Sequence, residues 1–187
     1  MQAKRADRLR SDAQRNKDAI LAAAVRAFAK DANASLEGIA RAAGVGIGTL
    51  YRHYPTRDAL FEAAYRTEIE KLCAEAPALL ARYRPDLALA RFLDRFIDHM
   101  AAKRGMIEAL RAMIAAGGQL NQSLAMVAAA VAPILDAGKR EGVLRADATV
   151  EDFIAIKGAV ATARPAWARR LAALLIDGLR HGTRTAR

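Results

Sequence analysis

The chain has 187 residues, a formal net charge of +10 and a hydrophobic fraction of 53%. Many alanines and an aromatic fraction of only 5% favour helices over strands. No apolar run reaches the roughly 20 residues of a membrane span, no secretory signal follows the first charges, and the single cysteine, Cys73, cannot form an internal disulfide. We therefore expect an all-α, cytoplasmic protein without a membrane segment.

The positive charge favours a polyanionic partner, because basic side chains neutralise phosphates and release counterions. Residues 1–65 hold 11 Lys and Arg against 7 Asp and Glu, while residues 66–187 hold 19 against 13. The excess is therefore spread along the chain, and charge alone does not identify a DNA-binding domain.

The predicted elements begin with a basic flexible arm over residues 1–15, in which Leu9 is almost the only apolar side chain. Such an arm can touch backbone phosphates or an adjacent minor groove, and the alternative is a solvated tail that aids solubility. An amphipathic helix over residues 16–30 follows, and residues 31–34 form a loop.

Two short helices joined by a glycine turn are predicted next, and they complete a DNA-binding domain over residues 16–55. Ser35 is a good N-cap for the first of them. Gly44 ends that helix, because glycine accepts the left-handed backbone conformation. The second helix covers residues 47–54 and turns Leu50 inward. This is the helix-turn-helix arrangement, which lays its second helix in the DNA major groove.

The side chains of the second helix divide by chemistry. Thr49, Tyr51 and His53 can donate hydrogen bonds to phosphate oxygens, which sets register without reading sequence. Arg52 can pair with a guanine edge or a phosphate, and Ile47 suits a thymine methyl group. Gly46 and Gly48 carry no side chain and would allow the backbone to approach DNA closely.

The segment GVGIGTLYRHYPTRDAL, residues 44–60, resembles the DNA-binding signature of the TetR family of bacterial transcriptional regulators. The resemblance runs from about residue 16 to 64 and implies DNA contacts for Thr49, Tyr51 and His53. It also implies that Arg57 meets a phosphate where the next helix begins. Many members of the family carry Ser at the position of Gly46. The complete set of expected DNA-binding residues is Ser35, Gly46, Ile47, Gly48, Thr49, Tyr51, Arg52, His53 and Arg57.

The remaining residues, 56–187, are expected to form a helical effector-binding and dimerisation domain. Residues 57–80 and 96–110 resemble the C-terminal half of an SbtR-like subgroup. Helices are predicted to start at Thr56, Asp86, Gly105, Asn121, Thr149 and Pro165, and a short helix or turn lies between Pro77 and Pro85. The helix from Gly105 ends at Gly117 and Gly118, and Pro133 kinks or divides the helix from Asn121. Thr149 and Asp152 form a capping box at the start of their helix.

An apolar effector pocket is the predicted role of adaptable methionines and flat aromatics in this domain. The candidates are Phe92, Phe96, His99, Met100, Met106, Met113 and Trp167. The alternative is that these side chains are ordinary core, and that His99 is a structural histidine.

The last two helices present apolar faces that include small residues, and the resemblance implies a four-helix interface between two subunits. The residues expected at this homodimer interface are Phe153, Lys157, Val160, Leu171, Leu174, Leu175 and Gly178. Internal packing within one subunit is the alternative.

Catalysis has little support, because the three histidines are far apart in sequence and match no metal or nucleophile pattern. We therefore expect no enzyme, no cofactor and no metal. The resemblance implies a homodimeric repressor that a small-molecule effector releases from a pseudo-palindromic, double-stranded DNA operator. The competing hypotheses are a non-specific basic DNA-binding protein, and a helical small-molecule-binding module or enzyme with no role on DNA.

Overall fold

The computed structural model describes residues 2–115 and 120–180, and in these residues it confirms the all-α prediction. The helices are α1 (Gln2–Lys30), α2 (Leu36–Ala42), α3 (Ile47–His53), α4 (Arg57–Cys73), α5 (Ala76–Arg82), α6 (Pro85–Ala101), α7 (Arg104–Ala115), α8 (Asn121–Arg140), α9 (Val150–Thr162) and α10 (Pro165–Arg180). None of them is both long and apolar enough to cross a membrane.

The described residues form two compact units. The first unit holds residues 2–68 and 103–115, and the second holds residues 69–102 and 120–180. The division differs from the predicted domain boundary between residues 55 and 56, because most of α4 and all of α7 pack with the first three helices.

An aromatic cluster forms the core of the first unit. Phe28, which is fully buried, meets the edge of Phe61 at a centroid distance of 5.4 Å, and Phe61 stacks on Tyr65 at 6.2 Å. The position of α7 depends on Gly105, since a Cβ there would lie 2.5 Å from the Phe28 carbonyl oxygen. Lys103 also forms an ion pair with the buried Glu68 of α4. These contacts explain why α7 belongs to this unit.

The prediction of a flexible arm over residues 1–15 is wrong from residue 2 onward, because α1 extends to Gln2. Residues 2–15 contain no Gly or Pro and are rich in Ala, Arg and Gln, which are strong helix formers. Local pairs add to this, such as the hydrogen bond from Gln14 Nε2 to Asp18 at 2.8 Å. The helix predicted for residues 16–30 therefore begins earlier, and its N-terminal part is a basic segment.

In the second unit, α6 packs against α5, α8, α9 and α10. Its apolar stripe includes Phe92, whose ring lies 6.0 Å from that of Phe153 on α9. The predicted capping box of Thr149 and Asp152 is confirmed at the start of α9. Pro133 lies inside α8 without dividing it. The predicted end of α7 at Gly117 and Gly118 falls outside the described residues.

Candidate nucleic-acid interface

Hydrogen bonds at both ends of α2 fix the first half of the helix-turn-helix. The Ser35 hydroxyl accepts a hydrogen bond from the amide of Gly38 at 3.0 Å, which confirms the predicted N-cap. At the other end Gly44 has a φ of +70°, and the amides of Gly44 and Val45 donate to the carbonyls of Arg41 and Ala40. This pair of bonds is a Schellman motif, and it directs the chain into the turn before α3.

The helix α3 begins after Gly46, which caps it without a side-chain hydrogen bond. It ends at His53, and the next residue, Tyr54, has the extended backbone that is favoured in front of a proline such as Pro55. Leu50 is fully buried and Tyr54 is nearly so, which attaches α3 to the first unit. Tyr54 is therefore a core residue, and its burial raises the pKa of its phenol.

The outer face of α3 carries large side chains that the first unit does not use. Ile47 is 37% exposed and Tyr51 is 46% exposed, and they lie one helical turn apart. Arg52 is also exposed, while Thr49 and His53 are half-buried. In the described part of the chain, no hydrogen bond or ion pair is made by the side chains of Thr49, Tyr51, Arg52 and His53. They are therefore available to an external partner.

Packing within the first unit does not require glycine at positions 46 and 48. A Cβ at Gly46 or at Gly48 would meet nothing within 4 Å, and neither residue has a positive φ. The protein therefore has room for a side chain at both positions. Their bareness leaves a smooth backbone surface at the start of α3, next to the exposed Ile47.

Arg57 differs from the other predicted DNA contacts. Its Nη1 donates to the Ala34 carbonyl at 2.5 Å, its Nη2 donates to the Ala32 carbonyl, and its guanidinium lies 5.1 Å from the centre of the Phe28 ring. The N-cap of α4 is Thr56, whose hydroxyl accepts from the amide of Ala59 at 3.0 Å. The guanidinium is thus used inside the first unit, and the sequence motif held no sign of these acceptors.

The seven predicted effector residues do not come together. Met106 and Met113 are buried in the first unit, and Trp167 is 57% exposed on α10 in the second unit. The other four, Phe92, Phe96, His99 and Met100, lie on α6 in the second unit. Burial, together with nearby Lys71, lowers the pKa of His99.

Three clefts lie among the described residues of the second unit, and none of them is lined by the seven predicted effector residues. The first, of about 660 Å³, lies beside Leu80 and Pro133. The second, of about 670 Å³, lies between α9 and α10 next to Arg145, and the third, of about 240 Å³, lies between α6 and α10. Within the described residues, no group of three or more His, Cys, Asp or Glu side chains could hold a metal ion.

Three of the predicted dimer residues point inward, so their placement at an interface is wrong. Phe153, Lys157 and Val160 are buried within the single chain, and the Lys157 ammonium lies 4.6 Å from the centre of the Phe96 ring. They occupy the stripe of α9 that faces the core. The outward-facing side of α9 carries a different set of residues, Ala155, Gly158, Ala159 and Thr162.

The predicted dimer residues of α10 lie on its outer side. Leu174 is 58% exposed, Leu171 and Leu175 are half-buried, and Gly178 is exposed. Together with Trp167 they form an apolar surface on a helix that packs against α9.

Comparison with known proteins agrees with this arrangement. Residues 20–64 match the family of bacterial regulatory proteins called the tetR family. Residues 84–181 match the C-terminal domain of SbtR-like transcriptional regulators. No curated protein sequence matches the chain.

Solved structures give the same result. A TetR transcriptional regulator from Streptomyces coelicolor is 46% identical with a TM-score of 0.60, covering 89% of this chain and 99% of that one. A TetR transcription regulatory protein from Mycobacterium vanbaalenii is 32% identical with a TM-score of 0.58, covering 92% and 99%. The fold is shared by FadR from Bacillus subtilis, solved with stearoyl-CoA, at 16% identity and a TM-score of 0.67 over 88% and 98% of the two chains.

Two matches at more than 30% identity extend over most of both chains, and the match to the SbtR-like domain spans more than half of this one. The exposed face of α3 is consistent with them. The chain therefore belongs to the TetR family of DNA-binding transcriptional regulators, with an SbtR-like C-terminal domain.

Proposed function

We propose that this regulator is a homodimeric repressor that binds a pseudo-palindromic operator and is released from it by a small-molecule effector. The observation that supports this most directly is the outer face of α3, where polar and apolar side chains have no partner within the described residues. A protein that acts on DNA in this way needs no catalytic site, and its place of action is the cytoplasm.

Within the operator complex, each side chain of α3 has a distinct task. Thr49, Tyr51 and His53 bind phosphate oxygens and fix the register of the helix. Arg52 reads a guanine edge, and Ile47 covers a thymine methyl group.

The backbone of α3 supports this arrangement. Because nothing in the first unit fills the space beside Gly46 and Gly48, their amides can come close to the sugar-phosphate backbone. Ser35 acts indirectly in this proposal, since its hydroxyl caps α2. Specificity therefore depends on a short list of side chains that can be replaced one at a time.

Dimerisation uses the outward faces of α9 and α10. The small residues Gly158 and Gly178 leave open space around their backbones, beside the exposed Trp167 and Leu174. Exposed apolar surface of this kind marks an interaction site, and two such helix pairs can form a four-helix interface around a twofold axis. Two headpieces would then reach half-sites separated by one helical turn of DNA, about 34–36 Å, or by a multiple of it.

The proposed effector acts on the second unit. Phe92, Phe96 and Met100 are buried there in one apolar stripe of α6, beside the half-buried His99. An effector can shift the dimer only if its affinity differs between the DNA-bound and the released conformations. Thermal shift measurements with a panel of apolar ligands test this. Acyl-CoA esters belong in the panel because two FadR proteins that share the fold, from Bacillus subtilis and Thermus thermophilus, were solved with stearoyl-CoA and lauroyl-CoA.

Selection of bound duplexes from a random library, followed by footprinting of the gene's own upstream region, tests the proposal. We expect an enriched motif with twofold symmetry and protection of the matching upstream site. Equal affinity for all duplexes at a fixed salt concentration would contradict it and favour a non-specific DNA-binding protein. No duplex binding at all would favour a module without a role on DNA.

A further inference from the structure

A single side chain connects the two ends of the helix-turn-helix. The chain enters the motif after the loop of residues 31–34 and leaves it at Thr56, directly before Arg57. The guanidinium of Arg57 donates one hydrogen bond to the Ala34 carbonyl, at 2.5 Å, and another to the Ala32 carbonyl. These bonds link residues that are 23 and 25 positions apart. We call this set of contacts, together with the Phe28 ring under the guanidinium, the Arg57 clasp.

The other contacts of the loop lie within it or at Asp31, whose amide donates to the Ala27 carbonyl of α1 at 3.0 Å and whose backbone lies against Gly105 of α7. Asp31 accepts a hydrogen bond through its side chain from the amide of Asn33, at 2.8 Å, and its carbonyl accepts one from the amide of Ala34, at 3.2 Å. Both bonds are internal to the loop. Among the described residues, Arg57 is the only side chain from outside the loop that hydrogen-bonds to it. The loop leads directly into Ser35, which caps α2, so the clasp links the entrance of α2 to the start of α4.

The seat of the guanidinium suits arginine in particular. Its carbon lies 5.1 Å from the centre of the fully buried Phe28 ring, a distance at which a cation is attracted to the ring face. A planar guanidinium can lie on this ring and donate to two carbonyls from its two terminal nitrogens. The compact ammonium of lysine cannot reproduce that geometry, although it carries the same charge.

We propose that Arg57 is a positioning residue, which orients α2 and α3 for DNA by closing the helix-turn-helix, and that it is not a phosphate contact. This rests on the DNA binding of the proposed function. Without the clasp, the carbonyls of Ala32 and Ala34 lose their partner, and the buried side chains of α2 and α3 hold these helices on α1 without the link from the loop to α4. A phosphate contact at position 57 requires only a positive charge, whereas the clasp requires the planar guanidinium of arginine.

The test uses Arg57→Lys and Arg57→Gln in the full chain, with Arg26→Gln as a control for loss of one exposed positive charge on α1. Affinity for the selected duplex is measured over a range of salt concentrations, at a temperature where circular dichroism shows each variant folded. Hydrogen exchange of peptides covering residues 31–40 is compared with that of peptides from α10. If Arg57→Gln does not fold, Arg57→Lys decides the result.

We expect Arg57→Lys and Arg57→Gln both to bind the duplex about tenfold more weakly or worse, the effect of losing one hydrogen bond to a charged donor. The dependence of affinity on salt should match that of wild type, and exchange over residues 31–40 should be faster in both.

Wild-type affinity in Arg57→Lys would overturn the proposal. So would a decrease of about 0.9 in the salt slope of Arg57→Gln, which is the signature of one lost phosphate contact. Unchanged affinity in both variants, with lower thermal stability, would reduce Arg57 to a purely structural role. If wild type bound no duplex, the proposed function would fail, and unchanged exchange over residues 31–40 in Arg57→Lys would then overturn the clasp separately.

Discussion

Gly48→Ala separates the stability of the first unit from its function on DNA. Gly48 lies in the first turn of α3, and an added Cβ would meet no atom within 4 Å. Alanine restricts the unfolded chain and favours helix, which increases the free energy of unfolding by roughly 0.5–1 kcal/mol. For a chain of this size that corresponds to a rise of about 1–4 °C in the melting temperature. The protein alone should therefore be slightly more stable.

The same methyl group should weaken DNA binding, because it fills the space beside Gly48 that we propose the sugar-phosphate backbone of DNA occupies. Loss of one close amide–phosphate hydrogen bond predicts affinity about tenfold lower. Calorimetry measures the stability, and a fluorescence anisotropy titration with the selected duplex at fixed salt measures the affinity. A more stable variant with unchanged affinity would refute the close approach, and a less stable variant would refute the open space.

Three further predictions concern other parts of the molecule. Gly44→Ala should reduce the free energy of unfolding by about 1–2 kcal/mol, the cost of a left-handed backbone for a residue with a Cβ. Gly158→Ala should not, because Gly158 lies inside α9 without a positive φ and an added Cβ there would meet no atom within 4 Å. Similar denaturant midpoints for both variants would contradict this. Leu174→Glu should dissociate the dimer in sedimentation analysis, while Leu87→Glu, an equally apolar exposed site on α6, should leave it intact; a stable Leu174→Glu dimer would refute the interface. Burial lowers the pKa of Lys157 to about 8, so between pH 7.5 and 9 the folded state releases a proton that the unfolded state still holds. The free energy of unfolding should therefore rise with pH over this range, relative to that of Lys157→Met. Parallel pH profiles of the two proteins would contradict this.

The pH window in the last prediction is limited by a neighbour. Burial raises the pKa of the Cys73 thiol to about 11, from an ordinary value of 9.0. The unfolded chain therefore loses the thiol proton before the folded chain does, which lowers stability as the pH rises above 9. Below pH 9 the effect of Lys157 can be measured largely by itself.

The sequence predicts the helix-turn-helix well because its determinants are local. The cap at Ser35, the left-handed Gly44 and the burial of Leu50 each depend on the nearest residues, and the structure confirms all three. The start of α4 after Thr56 follows from the same kind of signal.

The features that the sequence does not predict depend on distant contacts. Nothing near Gly105 indicates that its backbone packs against Phe28, so the membership of α7 in the first unit is not apparent. The clasp likewise needs the carbonyls of a loop more than 20 residues before Arg57. On α9, periodicity identifies an apolar stripe, but it does not show whether Phe153 faces the core or a second subunit.

The most direct test of the central claim is the affinity of Tyr51→Ala and Arg52→Ala for the selected duplex and for a random duplex, at one salt concentration. Both variants should keep the helical circular dichroism of wild type, since both side chains are exposed. We expect Tyr51→Ala to weaken binding to both duplexes, as a lost phosphate contact does. Arg52→Ala should reduce the preference for the selected duplex, by about 1–3 kcal/mol if a guanine contact is lost. Unchanged affinity and preference in both variants would contradict the assignment of α3 as the helix that binds DNA.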